Sequence, residues 1–179
     1  VAALKDGFKT LGAFAYETST MSFDFTEGEN TATGSGTSGA GTLNVAMDAG
    51  QLAYGGSASD VEMQIEASQL PFPMAMAYDR SSFDLVMPAI ADPSPQNYRL
   101  ATRLEGLTVS DEVWSLFDPS GVLPRDPATL VIDTSGTATL TADLMEPSTA
   151  TPGTAPGEVN TLVVNELHLN IAGADLSGN

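Results

Sequence analysis

Large apolar residues recur at every second position in many segments of the chain, and polar residues fill the positions between them. In the segment Met21-Ser22-Phe23-Asp24-Phe25 the odd positions are large and apolar, while the even positions are polar. This period of two is typical of strands that bury one face only. The same pattern predicts about ten strands, near residues 8–16, 21–26, 43–47, 52–54, 61–65, 72–78, 81–87, 98–109, 129–134, 137–144 and 159–171.

Short clusters of Gly, Ser, Asn and Asp separate many of these segments, and such clusters let a chain turn back on itself. We therefore predict an all-β fold, an antiparallel meander of about ten strands. Its form is an open curved sheet, a half-barrel or a sandwich, and we prefer an open sheet over a closed barrel. The stretch 133–136, Asp-Thr-Ser-Gly, is predicted to be a hairpin turn rather than a cation-binding loop.

One short helix is predicted over residues 110–117, where it closes one end of the sheet. Ser110 supplies an N-cap, and Asp111 and Glu112 supply negative charge at the positive end of the helix dipole. The segment 118–121, Asp-Pro-Ser-Gly, ends the helix because the residue before proline is disfavoured in the α region. The spacing predicts a buried stripe formed by Val113, Leu116 and Phe117. Trp114, beside this stripe, is predicted to be partly buried.

The whole chain, residues 1–179, is predicted to form a single β-rich domain, since 179 residues suit about one domain. Two stretches are predicted to be flexible or irregular loops. Residues 31–41 contain only Gly, Ser, Thr and Ala, and residues 146–157 contain three prolines. Because the first residue is Val1 rather than Met, we expect the chain to be an excised part of a longer protein.

The charge balance excludes several classes of function. Six Lys and Arg against 23 Asp and Glu give a formal net charge of −17, and the six cations are scattered along the sequence. Such a chain repels nucleic acid and anionic lipid surfaces. The chain has no cysteine, which removes disulfides, thiol nucleophiles and thiolate metal sites. No segment has the roughly 20 consecutive apolar residues that a membrane-spanning helix needs.

Catalytic chemistry has few candidates in this sequence. The single histidine, His168, lies on the polar face of the last long strand beside Glu166. No Gly-x-Ser-x-Gly motif, which would place a nucleophilic serine in a strand-to-helix turn, accompanies it. Asp111, Glu112 and Asp118 could act as paired carboxylates, but helix capping and a turn explain all three. We therefore expect no catalytic residue, no metal site and no cofactor site, and we predict that the protein is not an enzyme.

An apolar row is the feature most suggestive of binding. Flexible methionine and aromatic side chains alternate with small residues over 72–78, and this combination suits either an ordinary β core or a groove for an acyl chain. The first interpretation makes the protein a structural scaffold or a protein-interaction domain without a small-molecule ligand. The second predicts a groove for a lipid or another apolar ligand, bordered by Phe72, Met74, Met76, Tyr78, Met63, Ile65 and Phe83.

Residues 114–130, Trp-Ser-Leu-Phe-Asp-Pro-Ser-Gly-Val-Leu-Pro-Arg-Asp-Pro-Ala-Thr-Leu, resemble a domain-of-unknown-function family found chiefly in alphaproteobacteria of the Rhodobacter group. Residues 135–138 and 171–178 extend the resemblance. The succession of repeated short strands is similar to that of the AsmA-like envelope proteins. The resemblance implies a periplasmic, cell-envelope location and an anchor in the membrane through a segment outside this chain. It also implies envelope proteins as partners, and it supplies no catalytic residues.

Overall fold

The computed structural model describes residues 6–144 and 155–179 of the chain. These residues form ten β-strands and one helix, α1, which spans Asp111–Phe117. The strands are β1 Thr10–Tyr16, β2 Ser19–Glu27, β3 Asn30–Ser38, β4 Gly41–Met47, β5 Leu52–Ala67, β6 Met74–Met87, β7 Gln96–Val109, β8 Ala128–Leu140, β9 Gly157–Ile171 and β10 Ala174–Gly178.

All strand pairs are antiparallel and belong to a single open sheet. From β5 to β10 every strand pairs with the next one along the chain. On its other side β5 is long enough to pair with two strands, β4 along its first half and β3 along its second half. Beyond these, β1 pairs with β4, and β2 pairs with β3. The predicted all-β, open antiparallel sheet with one short helix is confirmed.

Several predicted turns and loops are strands instead. Residues 31–41, predicted as a loop, form most of β3 and the first residue of β4. The predicted hairpin turn at 133–136 lies in the middle of β8. The strands predicted at 52–54 and 61–65 are one continuous strand, β5, and those predicted at 72–78 and 81–87 are one continuous strand, β6. Each segment is held by backbone hydrogen bonds to a strand on either side, and this pairing overrides its weak β propensity.

Three smaller differences concern the second half of the chain. Of the predicted loop at 146–157, residues 146–154 lie outside the described residues, and Gly157 already begins β9. The strand predicted to reach Leu144 ends at Leu140. The short final strand β10 was not predicted. It folds back on β9 through a turn at Ala172 and Gly173, both of which have positive φ.

A line of irregular backbone, which we call the crease, crosses the sheet near the middle of its long strands. It separates β1 from β2 and β3 from β4, and it passes through Asp60 in β5, where φ is +49°, and Gly106 in β7, where φ is +72°. In β5 the large apolar side chains occupy even positions before the crease and odd positions after it. A residue with positive φ lets a strand change this alternation without leaving the sheet.

Apart from α1, the described residues contain no second layer of helix or sheet. Only seven apolar residues among them are buried, and no large side chain is fully enclosed. The chain exposes 11232 Å² of surface, where a compact monomer of 18.5 kDa would expose about 8,200 Å². The apolar side chains of this protein therefore pack mainly against neighbours on the same face of one sheet.

Helix α1 differs in part from its prediction. Val113 is buried and Trp114 is half-buried, as expected, but Leu116 and Phe117 are 64% and 75% exposed. The buried stripe was predicted on the assumption that the helix packs into a core, whereas α1 makes only slight contact with β6. Ser110 occupies the N-cap position, but its hydroxyl makes no capping hydrogen bond.

The crease supplies the first testable prediction. A Cβ atom added at Gly106 would overlap the carboxylate side chain of Asp79, and the positive φ would strain any other residue there. Gly106→Ala is therefore expected to lower the free energy of unfolding by about 1–3 kcal/mol. Gly12→Ala is the control, because a Cβ there meets no atom within 4 Å. Equal denaturation midpoints for the two variants would contradict the strain at the crease.

Candidate functional site

The strand register places five small or apolar residues side by side across five strands. Met21 of β2 is opposite Gly36 of β3, which is opposite Met63 of β5; Met63 is opposite Met76 of β6, which is opposite Val109 of β7. Directly paired residues of neighbouring strands project from the same face of a sheet. We call these five residues the methionine row. None of them is charged, and three carry flexible thioether side chains.

A second apolar row runs parallel to the first. Phe23, Gly34, Ile65 and Met74 are paired across β2, β3, β5 and β6. The ring of Phe23 occupies the space where a side chain at Gly34 would lie. Glycine is needed at this position because the aromatic ring of the edge strand packs directly on the β3 backbone.

Gly36 plays a similar part in the methionine row. A Cβ atom there would be 3.2 Å from Cγ of Met63 and 3.4 Å from Cγ of Met21, so these side chains approach each other over the glycine. It would also be 2.8 Å from the backbone oxygen of Glu62, which cannot move aside easily. These contacts account for the glycines at 34 and 36 within the small-residue stretch 31–41.

An open groove of about 610 Å³ follows the methionine row. Five of its fourteen lining residues are those of the row. The other nine are their neighbours in the chain, which along a strand project from the opposite face, and the groove ends at Ser110 beside α1. Five adjacent strands span about 19 Å at the usual strand spacing. A smaller cavity of about 30 Å³ adjoins the row beneath α1, and apolar side chains alone line it: Met63, Ile65, Met74, Ala75, Met76, Val109 and Val113.

The structure brings together four of the seven residues predicted to border an apolar groove. Met63 and Met76 belong to the methionine row, and Ile65 and Met74 pair directly beside them. The other three do not line either cavity. Their positions are as follows: Tyr78 lies opposite Val61, Phe72 precedes β6, and Phe83 lies across the crease opposite Gly56.

The sequence prediction missed three apolar members of the site. Met21 comes from a strand more than forty residues before Met63, and Val109 and Val113 come from β7 and α1. Alternation identified the strand that carries Met21, but only the pairing of β2 with β3 and of β3 with β5 brings it to the site. Ser110 was also missed, and its buried hydroxyl has no hydrogen-bond partner.

The charged side chains of the central strands form a separate network. Arg99 of β7 donates to Asp133 of β8 over 2.6 Å, and Arg103 donates to Glu105 over 2.9 Å. Arg80 of β6 also contacts Glu105, over 3.3 Å. Hydrogen bonds from Arg99 and from an adjacent asparagine hold the pKa of Asp133 below its usual range. In the register Arg99 lies opposite Val86 and Arg103 lies opposite Val131, so these charged side chains share their face of the sheet with apolar residues.

His168 has a different partner from the one considered in the sequence. Its Nε2 atom lies 2.8 Å from Oδ2 of Asp175 in β10, and this contact lowers the pKa of Asp175, together with a hydrogen bond from Asn170. Glu166 is instead 4.0 Å from Arg103. The imidazole is thus held on the polar face by an exposed carboxylate, far along the sheet from the methionine row.

The carboxylates around α1 have structural contacts. Asp111 accepts a hydrogen bond from Arg125. Asp118 is buried and accepts the backbone N–H of Leu123 over 2.8 Å, which lowers its pKa. These contacts close the turn that follows the helix. Within residues 6–144 and 155–179, no group of three His, Cys, Asp or Glu is arranged to hold a metal ion.

Comparisons with known proteins give no further assignment. The chain matches no protein-family model, no curated protein and no solved structure. In the described part of the chain, no helix combines the length and the apolar character needed to cross a membrane.

The charged network supplies the second testable prediction. Because the folded-state pKa of Asp133 is lowered, its contribution to stability is fully present above the unfolded-state value of about 3.9 and is lost as pH falls through the folded-state value. Asp133→Asn should thus lower the denaturation midpoint at pH 7, and its difference from the unsubstituted protein should shrink in acid. Asp126→Asn, at an exposed loop position, is the control. A difference that is independent of pH would refute the assignment.

Proposed function

We propose that this protein is a non-enzymatic module of the bacterial cell envelope that binds an acyl chain or another apolar ligand along the methionine row. The observation that carries the proposal is the groove of about 610 Å³ that follows this row across five strands. Small-molecule sites are typically concave and mostly apolar, with few polar groups. The groove is open and crosses five strands, and its length is that of an extended long-chain acyl group. Its lining is mixed, because seven of its fourteen residues carry polar side chains: Thr20, Ser35, Thr37, Glu62, Gln64, Thr108 and Ser110.

The side chains of the row suit a ligand of variable shape. Met21, Met63 and Met76 are unbranched and adapt to irregular apolar surfaces. Each methylene group that leaves water contributes about 0.8 kcal/mol, so a twelve-carbon chain gains about 10 kcal/mol before the costs of association. A ligand of this kind should survive purification.

The polar surroundings favour an apolar chain over an anionic ligand. The chain carries a formal charge of −17, and Glu62 adjoins the methionine row in the groove wall. A negatively charged head group is repelled by such a site, while a neutral or cationic one is not. The ligand is therefore recognised through its hydrocarbon part.

The cellular location belongs to the same proposal. Two similarities support a periplasmic protein that is anchored in the membrane through a segment outside this chain. They are the resemblance of residues 114–130 to the Rhodobacter-group family and the AsmA-like succession of short strands. An apolar groove on a strongly acidic sheet suits a module that handles lipid near the envelope.

A second candidate function is a scaffold or protein-interaction domain without a small-molecule ligand. One observation favours it: exposed apolar side chains occur outside the groove, on edge strands and on α1. In that case the methionine row is only packing within the sheet. The two functions are distinguished by whether an apolar ligand occupies the groove.

The third prediction tests the groove directly. Met21→Glu and Met76→Glu should each weaken the binding of a fluorescent acyl probe by more than tenfold, because they place a charge in the path of the hydrocarbon chain. Met21 is 53% exposed, so its substitution should disturb the fold less than the substitution of the half-buried Met76. Thr26→Glu is the matched control, since it adds the same charge to β2 at a position that is paired with Thr31 and lies outside the groove lining.

Native mass spectrometry of the protein purified from a bacterial envelope gives an independent measurement. A retained mass in the range of a lipid, absent from Met76→Glu, supports the proposal. Absence of retained lipid together with absence of probe binding would leave the scaffold function. Probe binding that Met21→Glu and Thr26→Glu weaken equally would show that the probe does not follow the row.

A further inference from the structure

The far side of the sheet has a long free edge. Strand β10 covers only residues 167–171 of β9, and within the described residues nothing pairs with the remaining part, residues 158–166, on the side away from β8. All nine of these residues are exposed. Lysine, proline, other charged residues and bulges discourage pairing of a free edge with another chain. This edge has no lysine and no proline, but it has two bulges and a glutamate at each end.

The side chains of this edge are divided between the two faces. Register with β8 places Val159, Leu162 and Val164 on one face; it places Glu158, Thr161, Val163 and Glu166 on the other. Leu162 and Val159 are 62% and 65% exposed, so the first face is apolar and open. The second face carries a carboxylate at each end.

Two bulges shape the edge without blocking it. Asn160 and Asn165 have no partner in the register between β8 and β9, and each is therefore an extra residue in β9. Asn160 accepts a hydrogen bond of 3.0 Å from Thr139, and Asn165 donates one of 3.0 Å to Asp133. Both side chains bond back to β8 and not across the outer side of β9.

We propose that the free edge of β9, residues 158–166, docks an extended segment of a cationic partner protein in which apolar and basic residues alternate. Such a segment adds a strand to the sheet through backbone hydrogen bonds. Its apolar side chains pack beside Leu162 and Val164, and its basic side chains face Glu158 and Glu166. The site is at the opposite end of the sheet from the groove, so the proposal is independent of ligand binding.

Charge argues against a second copy of this chain as the occupant. Antiparallel pairing of two β9 edges centred on Leu162 sets Glu158 of one copy against Glu166 of the other, twice. The opposite free edge of the sheet carries Asp24 and Glu27 in β2. Like charges directly across a strand pair are destabilising, whereas a basic segment is also attracted by the net charge of −17.

The test uses the whole chain and three labelled ten-residue peptides. In the first, lysine alternates with valine; in the second, glutamate alternates with valine; the third is the lysine peptide with two central prolines. Fluorescence anisotropy should show at least tenfold tighter binding of the first peptide than of the other two. Hydrogen exchange of backbone amides within 158–166 should slow at least tenfold when the first peptide binds.

A pair of double variants separates local recognition from general attraction. Glu158→Gln with Glu166→Gln should weaken binding of the lysine peptide by threefold or more, while Asp24→Asn with Glu27→Gln, which removes the same charge from the other free edge, should leave it unchanged. Equal weakening by both pairs, equal binding of the proline peptide, or protection outside residues 158–166 would overturn the proposal. Absence of binding would overturn it as well.

Discussion

The structure depends on one constraint: a sheet that has almost no second layer must pack its apolar side chains against each other along one face. Cross-strand pairs then replace the interlocking of two layers as the main source of packing. Glycines set opposite large side chains make this possible, because they let a ring lie flat on the backbone. The pairs are Phe23 with Gly34, Tyr16 with Gly41, and Phe83 with Gly56.

The same constraint produces the candidate site. Where Gly36 interrupts a row of methionines, the row has no side chain in one strand, and a groove follows it across the sheet. Helix α1 closes only one end of the row, through Val113. A second layer of sheet or helix would have filled this space. The opening is thus a consequence of the single layer, and a hydrocarbon chain is the kind of ligand that supplies the missing contacts.

Alternation in the sequence predicted the fold class and most strands, because the half-buried face of a sheet has a period of two wherever it occurs. It also identified Met63, Ile65, Met74 and Met76, which lie on two strands close together in the chain. Residues 31–41 were misassigned because glycine and serine have low strand propensity, and their packing role is visible only beside Phe23 and Met21. Leu116 and Phe117 were expected to be buried because the pattern of a helix gives no indication of whether a core faces it.

The most direct test of an open apolar row that accepts hydrocarbon is oxidation of methionine by peroxide, followed residue by residue with mass spectrometry, with and without a bound acyl ligand. The account predicts that Met21, Met63 and Met76 react in the free protein and become protected when the ligand binds. Met47 and Met87, across the crease, should react at the same rate in both states. Protection of all five methionines to the same degree, or of none, would contradict binding along the row.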